Sequence, residues 1–205
     1  MTLTAANIFT RVLDRLGPLA AQVTSIEEEL KDVLLDLTEK GDFVSLTDTV
    51  STADGVAYAD ITSKRIKYLE SAAISGGNLL ELGTMQDYQK SIAGSDTPTE
   101  GEPTRYFLRD GRIYLYDPIP DGVYAVNLFG YKYHADSTTP TLVLDELYRK
   151  TITEGVLAEL FAGKLKFTPN AMENSEFHRA RYEMELEKRR RNSQQSAPLI
   201  TYRDI

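Results

Sequence analysis

Residues 105–116 read RYFLRDGRIYLY. Two alternating runs of aromatic and aliphatic residues flank Asp110-Gly111, a dipeptide that tolerates the positive φ angles of two-residue hairpin turns. Such a turn sets the register: Arg109 faces Arg112, Leu108 faces Ile113, Phe107 faces Tyr114 and Tyr106 faces Leu115. Tyr106, Leu108, Ile113 and Leu115 then share one face, the predicted core face. DPIPDG (117–122) turns the chain again and VYAVNLFGYKY (123–133) supplies another strand. The pattern predicts a three-stranded antiparallel meander. Of the 12 tyrosines, those at 106, 114, 116, 124, 131 and 133 lie in it, and tyrosine suits surfaces that are half buried and half wet.

Upstream, Ile8, Phe9, Val12, Leu13 and Leu16 form one helical stripe over residues 5–16, stopped by Gly17-Pro18. A second helix is predicted over 26–40, with Ser25 and Glu28 as a capping box and Gly41 as a left-handed C-cap. Its outer face is acidic through Glu27, Glu28, Glu29, Asp32, Asp36 and Glu39. The two helices suggest an antiparallel pair. FVSLTDTVSTADGVAYADI (43–61) reads as a hairpin around Ala53-Asp54-Gly55, and RIKYLESAAI (65–74) as a strand. LLELGTMQDYQKSI (79–92) reads as a short strand and a short helix begun by Thr84, and AGSDTPTEGEP (93–103) as a loop.

Helical spacing returns from about Leu142, through Leu144, Leu147, Tyr148, Ile152, Val156, Leu160 and Phe161, to Gly163. A last helix is predicted from about 170 to 191. Its apolar residues, Met172, Phe177, Ala180, Met184 and Leu186, are too sparse for an ordinary core. The expected fold is α+β: a bundle of about four helices with an inserted antiparallel β-rich middle and an extended C-terminal tail. The expected divisions are a helical hairpin (1–41), the β-rich insertion with its aromatic meander (42–135), the helices completing the bundle (136–191) and the tail (192–205).

The chain has 205 residues, 41% hydrophobic and 26% charged, enough to bury a core. It has no cysteine, which excludes disulfide frameworks, thiolate zinc sites and thiol nucleophiles. Arg11, Asp14 and Arg15 interrupt the apolar positions of the first segment, so neither a signal peptide nor a membrane span is expected there, and a cytoplasmic origin is. A net charge of −8 counts against a surface built to grip phosphate backbones, though not against one that DNA slides past.

Little else reads as chemistry. His134 and His178 fall on different elements and are expected to be surface histidines. Asp110, Asp117 and Asp121 stand in turns, where their side chains cap local amides. Phosphate-loop spacing is missing, as are serine-hydrolase and zinc-protease signatures. No catalytic residue, metal or cofactor is expected. Lys188, Arg189, Arg190 and Arg191 end the predicted last helix, where cations suit the negative end of the dipole. They also offer a handle for an acidic protein surface, with Leu199, Ile200 and Tyr202 just downstream.

The stretch GEPTRYFLRDGRIYLYDPIPDGVYAVNLFGYKY (101–133) resembles the head–tail adaptor (connector) proteins of tailed bacteriophages. Gly101, Pro103 and Tyr106 match that family's G-x-P-x-x-Y opening. Tyr116, Pro118 and Pro120 match its Y-P-x-P turn, with Asp117 inserted. LDELYRKTITEGVLAELFAGK (144–164) is similar to the helix that follows the family's sheet. The resemblance implies a virion protein of the neck: a ring, usually of about twelve subunits, under the portal protein and around a DNA channel. Portal and further neck or tail proteins would be its partners, DNA would pass without sequence-specific binding, and no membrane is involved.

On that reading Lys188, Arg189, Arg190, Arg191, Leu199, Ile200 and Tyr202 are candidates for portal docking. Glu27, Glu28 and Asp32 are candidates for lining the channel, and Phe107, Tyr114, Tyr116 and Tyr131 for contacts with a neighbouring subunit or the tail. A tail-completion or gatekeeper protein, and a small-ligand or carbohydrate-binding β module, remain open alternatives.

Overall fold

A computed structural model describes residues 2–93, 99–134 and 141–196. In chain order the elements are β1 (Thr2–Thr4), α1 (Ala5–Leu16), α2 (Glu27–Lys40), β2 (Ser45–Ser51), β3 (Tyr58–Asp60), β4 (Ile66–Ile74), β5 (Glu81–Leu82) and α3 (Met85–Ala93). There follow β6 (Glu100–Gly101), β7 (Arg105–Arg109), β8 (Arg112–Tyr116), β9 (Ile119–Pro120), β10 (Ala125–Lys132), β11 (Thr141–Asp145), α4 (Arg149–Ala162) and α5 (Ala171–Ser196). The fold is α+β. The described parts of 1–44 and 134–205 make one compact unit, and those of 45–133 a second.

The helical unit is organised by α4. Its residues from Thr151 to Ala158 are all buried, because this stretch is apolar or small apart from Glu154. At Gly155 a Cβ would come 2.7 Å from Val33 Cγ1 and 3.1 Å from Tyr182 Cδ2, so α2 and α5 both rest on bare α4 backbone. α1 buries Ile8, Val12 and Leu16 as its stripe predicts, and Thr4 Oγ1 accepts the Asn7 N–H to cap it. α1 and α2 each pack mainly on α4 instead of forming the expected pair.

Two caps differ from expectation. Ser25 Oγ accepts the Glu27 N–H at 3.2 Å, so α2 begins at Glu27 and Glu28 makes no capping box. Gly41 is extended, with φ −151°, and not left-handed. A Cβ there would lie 2.2 Å from the Phe43 ring, so a larger residue would make that ring move. Residues 141–145, expected to begin a helix, form β11 against β1, with Thr2 opposite Asp145 and Thr4 opposite Thr141. Leu142 and Leu144 are both buried, a period of two, and the helical period begins only at Arg149.

In the second unit the hairpin β7–β8 forms in the predicted register, with φ of 50° at Asp110 and 71° at Gly111. The predicted meander does not. β10 leaves β8 and lies between β2 and β4, while the hairpin is flanked by β3 and β5. Pro118 and Pro120 lack the N–H groups a continuing ladder needs, and β9 pairs instead with β6. Nor is 43–61 a hairpin, since β2 joins one sheet and β3 the other, with a lone bridge from Ala53 to Val56. Leu46, Ala72, Val126 and Leu128 from one sheet share a core cluster with Tyr106, Ile113 and Leu115 from the other. Leu108, predicted to join them, is 39% exposed beside the turn.

Candidate assembly interface

The helix α5 presents two unlike faces. Asn170, at φ 57°, turns the chain into it. Its inner face bonds to its neighbours through polar groups. Ser175 Oγ donates to the Ala158 carbonyl at 3.0 Å, and Tyr182 donates its hydroxyl proton to Asp36 Oδ2 at 2.7 Å. Lys150 Nζ donates to the buried Glu185 at 2.5 Å. Of the five apolar residues named for this helix, only Leu186 is buried. Met172, Phe177 and Met184 are 76%, 54% and 60% exposed.

At the centre of that inner face sits the fully buried carboxylate of Glu154 on α4. Arg15 Nη1 lies 2.5 Å from its Oε1, Arg181 Nε 3.3 Å from the same oxygen, and His178 Nδ1 2.8 Å from Oε2. Burial alone would raise the Glu154 pKa. Hydrogen bonds from Arg15 and His178 and the charges of Arg15 and Arg181 outweigh it and hold the carboxyl below the usual glutamate range. The Tyr182 hydroxyl shifts the other way, raised first by burial and then by its bond to Asp36.

Both histidines differ from expectation. The His178 side chain is only 16% exposed and its ring stacks on Phe161 at 5.8 Å between centroids. His134 is 2% exposed, and its backbone N–H is directed at Thr38 Oγ1.

The basic run does not end the helix, which continues to Ser196, so the dipole account of these cations loses its basis. Nor does the run act as one patch. Arg189 folds inward over the Tyr148 ring, 6.0 Å from its centroid. Lys188, Arg190 and Arg191 are exposed, and the latter two pair with Glu187 at 3.5 and 3.2 Å. Residues 192–196, expected to open an extended tail, are helical, while Leu199, Ile200 and Tyr202 lie outside the described residues.

On α2 the acidic face is divided. Glu29 is buried against Lys164, whose Nζ lies 2.9 Å away, and Asp36 serves Tyr182 and Lys40. Glu27, Glu28 and Asp32 remain exposed.

Among the named aromatics, Phe107 and Tyr116 are 4% and 1% exposed, which corrects the expectation that they reach a partner. Tyr88 of α3, a residue the sequence did not single out, covers them with centroid distances of 5.2 and 5.6 Å. Thr84 and Asp87 cap that helix reciprocally, Thr84 Oγ1 taking the Asp87 N–H and Asp87 the Thr84 N–H. Tyr114 is half-buried, stacked on Phe107 at 4.7 Å, and Tyr131 packs on Tyr68 at 5.2 Å. The described residues contain no group of side chains that could hold a metal, and no helix long and apolar enough to cross a membrane.

The family model described as SU10 adaptor protein matches residues 3–202. The chain belongs to the SU10 adaptor protein family. This is a family of phage head–tail adaptors, structural proteins of the virion and not enzymes, and membership implies binding to other virion proteins. No curated protein matches the chain. In this SU10 adaptor the apolar residues Met172, Phe177 and Met184 of α5 and the acids Glu27, Glu28 and Asp32 of α2 are exposed.

Proposed function

We propose that this adaptor works as a ring of identical subunits under the portal, joining head to tail around the path of the DNA. The observation that carries the reading is the family match across residues 3–202. Two surfaces support its details. Lys188, Arg190 and Arg191 are exposed near the end of a 26-residue helix and outnumber the Glu187 that pairs with the two arginines, leaving a net positive surface that, with Leu199, Ile200 and Tyr202 downstream in sequence, engages the portal. Glu27, Glu28 and Asp32 give α2 an exposed negative stripe, which keeps DNA from adhering where it faces the channel. With Phe107 and Tyr116 covered, contacts between subunits or with the tail fall to more exposed aromatics such as Tyr114 and Tyr131.

Sedimentation of the purified chain, alone and mixed with portal protein, tests this reading. The expected result is a large complex of fixed stoichiometry in the mixture, weakened when residues 197–205 are removed. A chain that stays small beside the portal but joins a ring of portal and another adaptor would be a gatekeeper instead.

A further inference from the structure

We infer that a cationic cleft beside the β7–β8 turn binds the carboxylates of an acidic segment on a partner protein. The inference is separate from the ring and from portal docking through α5. It rests only on the family's binding of other virion proteins.

The cleft measures about 400 Å³ and lies within the β unit. Arg65, Lys67, Arg109 and Arg112 line it, against one carboxylate, Asp110. Four cations thus converge on one place in a chain whose net charge is −8. They come from two stretches, 65–67 and 109–112, that the fold brings together.

This concentration of charge is held at a cost. Arg109 and Arg112 stand directly opposite each other in the β7–β8 ladder, a like-charge pair that opposes strand pairing. Arg109 Nε meets Asp110 at 3.2 Å, with both side chains largely exposed, and the Arg112 guanidinium rests over the Tyr58 ring, 4.5 Å from its centroid. A pair as exposed as Arg109 and Asp110 relieves little of the repulsion. Arg65, at φ 52° and ψ 43°, has left-handed backbone in which glycine is the ordinary occupant. Two local rules are broken at one spot, and such breaches gather at functional sites.

The cleft is also preformed. Ile61 N–H donates to the Gly111 carbonyl at 2.9 Å and Thr62 N–H to Asp60 Oδ1 at 2.8 Å, tying the turn to the segment that leads into β4. A site held in this way gives up little entropy on binding.

Charge complementarity names the occupant. Guanidinium forks match carboxylates two bonds at a time. Tyr68 and Leu108, both exposed, add apolar wall for the side chains of a peptide. The same surroundings disfavour DNA. Asp60 and Asp110 are exposed beside the cations and would meet the phosphates of a duplex, whereas a short acidic segment can set its carboxylates on the cations alone.

Fluorescence anisotropy of the full chain with a labelled glutamate-rich peptide, at low ionic strength, tests the site. The expected result is binding that weakens with added salt. It should fall about threefold in Arg109→Gln and about tenfold in Arg109→Gln/Arg112→Gln. Because these variants remove a like-charge pair, the melting temperature should not fall. Lys31→Gln/Lys166→Gln, the same change of charge at exposed residues of the first unit, should leave binding intact. No binding by the unaltered chain, or equal losses in the two double variants, would overturn the inference. If a DNA duplex displaces the peptide at an equal or lower concentration of charge, the cleft reads phosphate and its assignment to an acidic protein falls. Independently, carbodiimide treatment should join the peptide to Lys67 in preference to Lys31, and coupling without that preference would contradict the site. None of these outcomes bears on the ring, which co-sedimentation with portal decides.

Discussion

The helices α4 and α5 lie against each other in the same unit and hold their places by opposite chemistry. α4 buries Ile152, Val156, Leu157 and Leu160 in the core of its unit, and even its glycine is needed for space. α5 buries Ala171, Tyr182, Glu185 and Leu186 among its described residues, and it meets α4 and α2 through hydroxyl, imidazole, guanidinium and carboxylate groups. A helix fixed by packing is specified by shape, and its errors are cavities. A helix fixed by polar bonds is specified by partners, and its errors are unpaired charges. The second design leaves the apolar side chains of α5 free to face outward, which suits a protein that must join others.

The sharpest way to break the comparison is Ile152→Ala, which removes a fully buried branched side chain from the middle of α4. Urea denaturation should show a loss of about 4 kcal/mol; a loss below about 1 kcal/mol would mean that α4 is not close-packed. Glu154→Gln attacks the polar side of the contact. It leaves Arg15 and Arg181 without their counter-charge and should lower stability by about 3 kcal/mol at neutral pH.

That second effect depends on pH in a defined direction. The folded-state pKa of Glu154 lies below that of an unfolded glutamate, near 4.3. Its contribution is therefore complete above that value and is lost as pH falls through the folded pKa. Melting curves of the two proteins should converge as pH drops below about 4, and a gap independent of pH would count against the assignment. The smallest effect belongs to the outer face. Met184→Gln, at a side chain 60% exposed, should change stability by less than about 0.5 kcal/mol.

What could be read in advance follows the range of each interaction. The hairpin register was legible because Asp110-Gly111 and the alternation beside it are local facts, and the α1 stripe of Ile8, Val12 and Leu16 for the same reason. The partner of β10 was not, since strands adjacent in sequence are only often adjacent in space and two prolines intervene. The apolar residues of α5 were rightly too sparse for an ordinary core, but the polar groups that make its inner face gave no sign of it in the sequence. Glu154 and His178 lie 24 positions apart and gain their meaning only once α4 and α5 meet.

The register of β2 against β10 has a consequence for how the chain folds. Ser45 and Tyr131 are opposite partners in that ladder, so the points where the chain leaves the first unit and returns to it are brought side by side. An unstructured loop of this length would oppose the meeting of α2 and α4 by about 4 kcal/mol of closure entropy. Once the β unit has formed, its two ends already lie together and most of that opposition is gone. The β unit, contiguous in sequence, thus serves as a clasp that lets the two distant arms of the helical unit find each other as near neighbours.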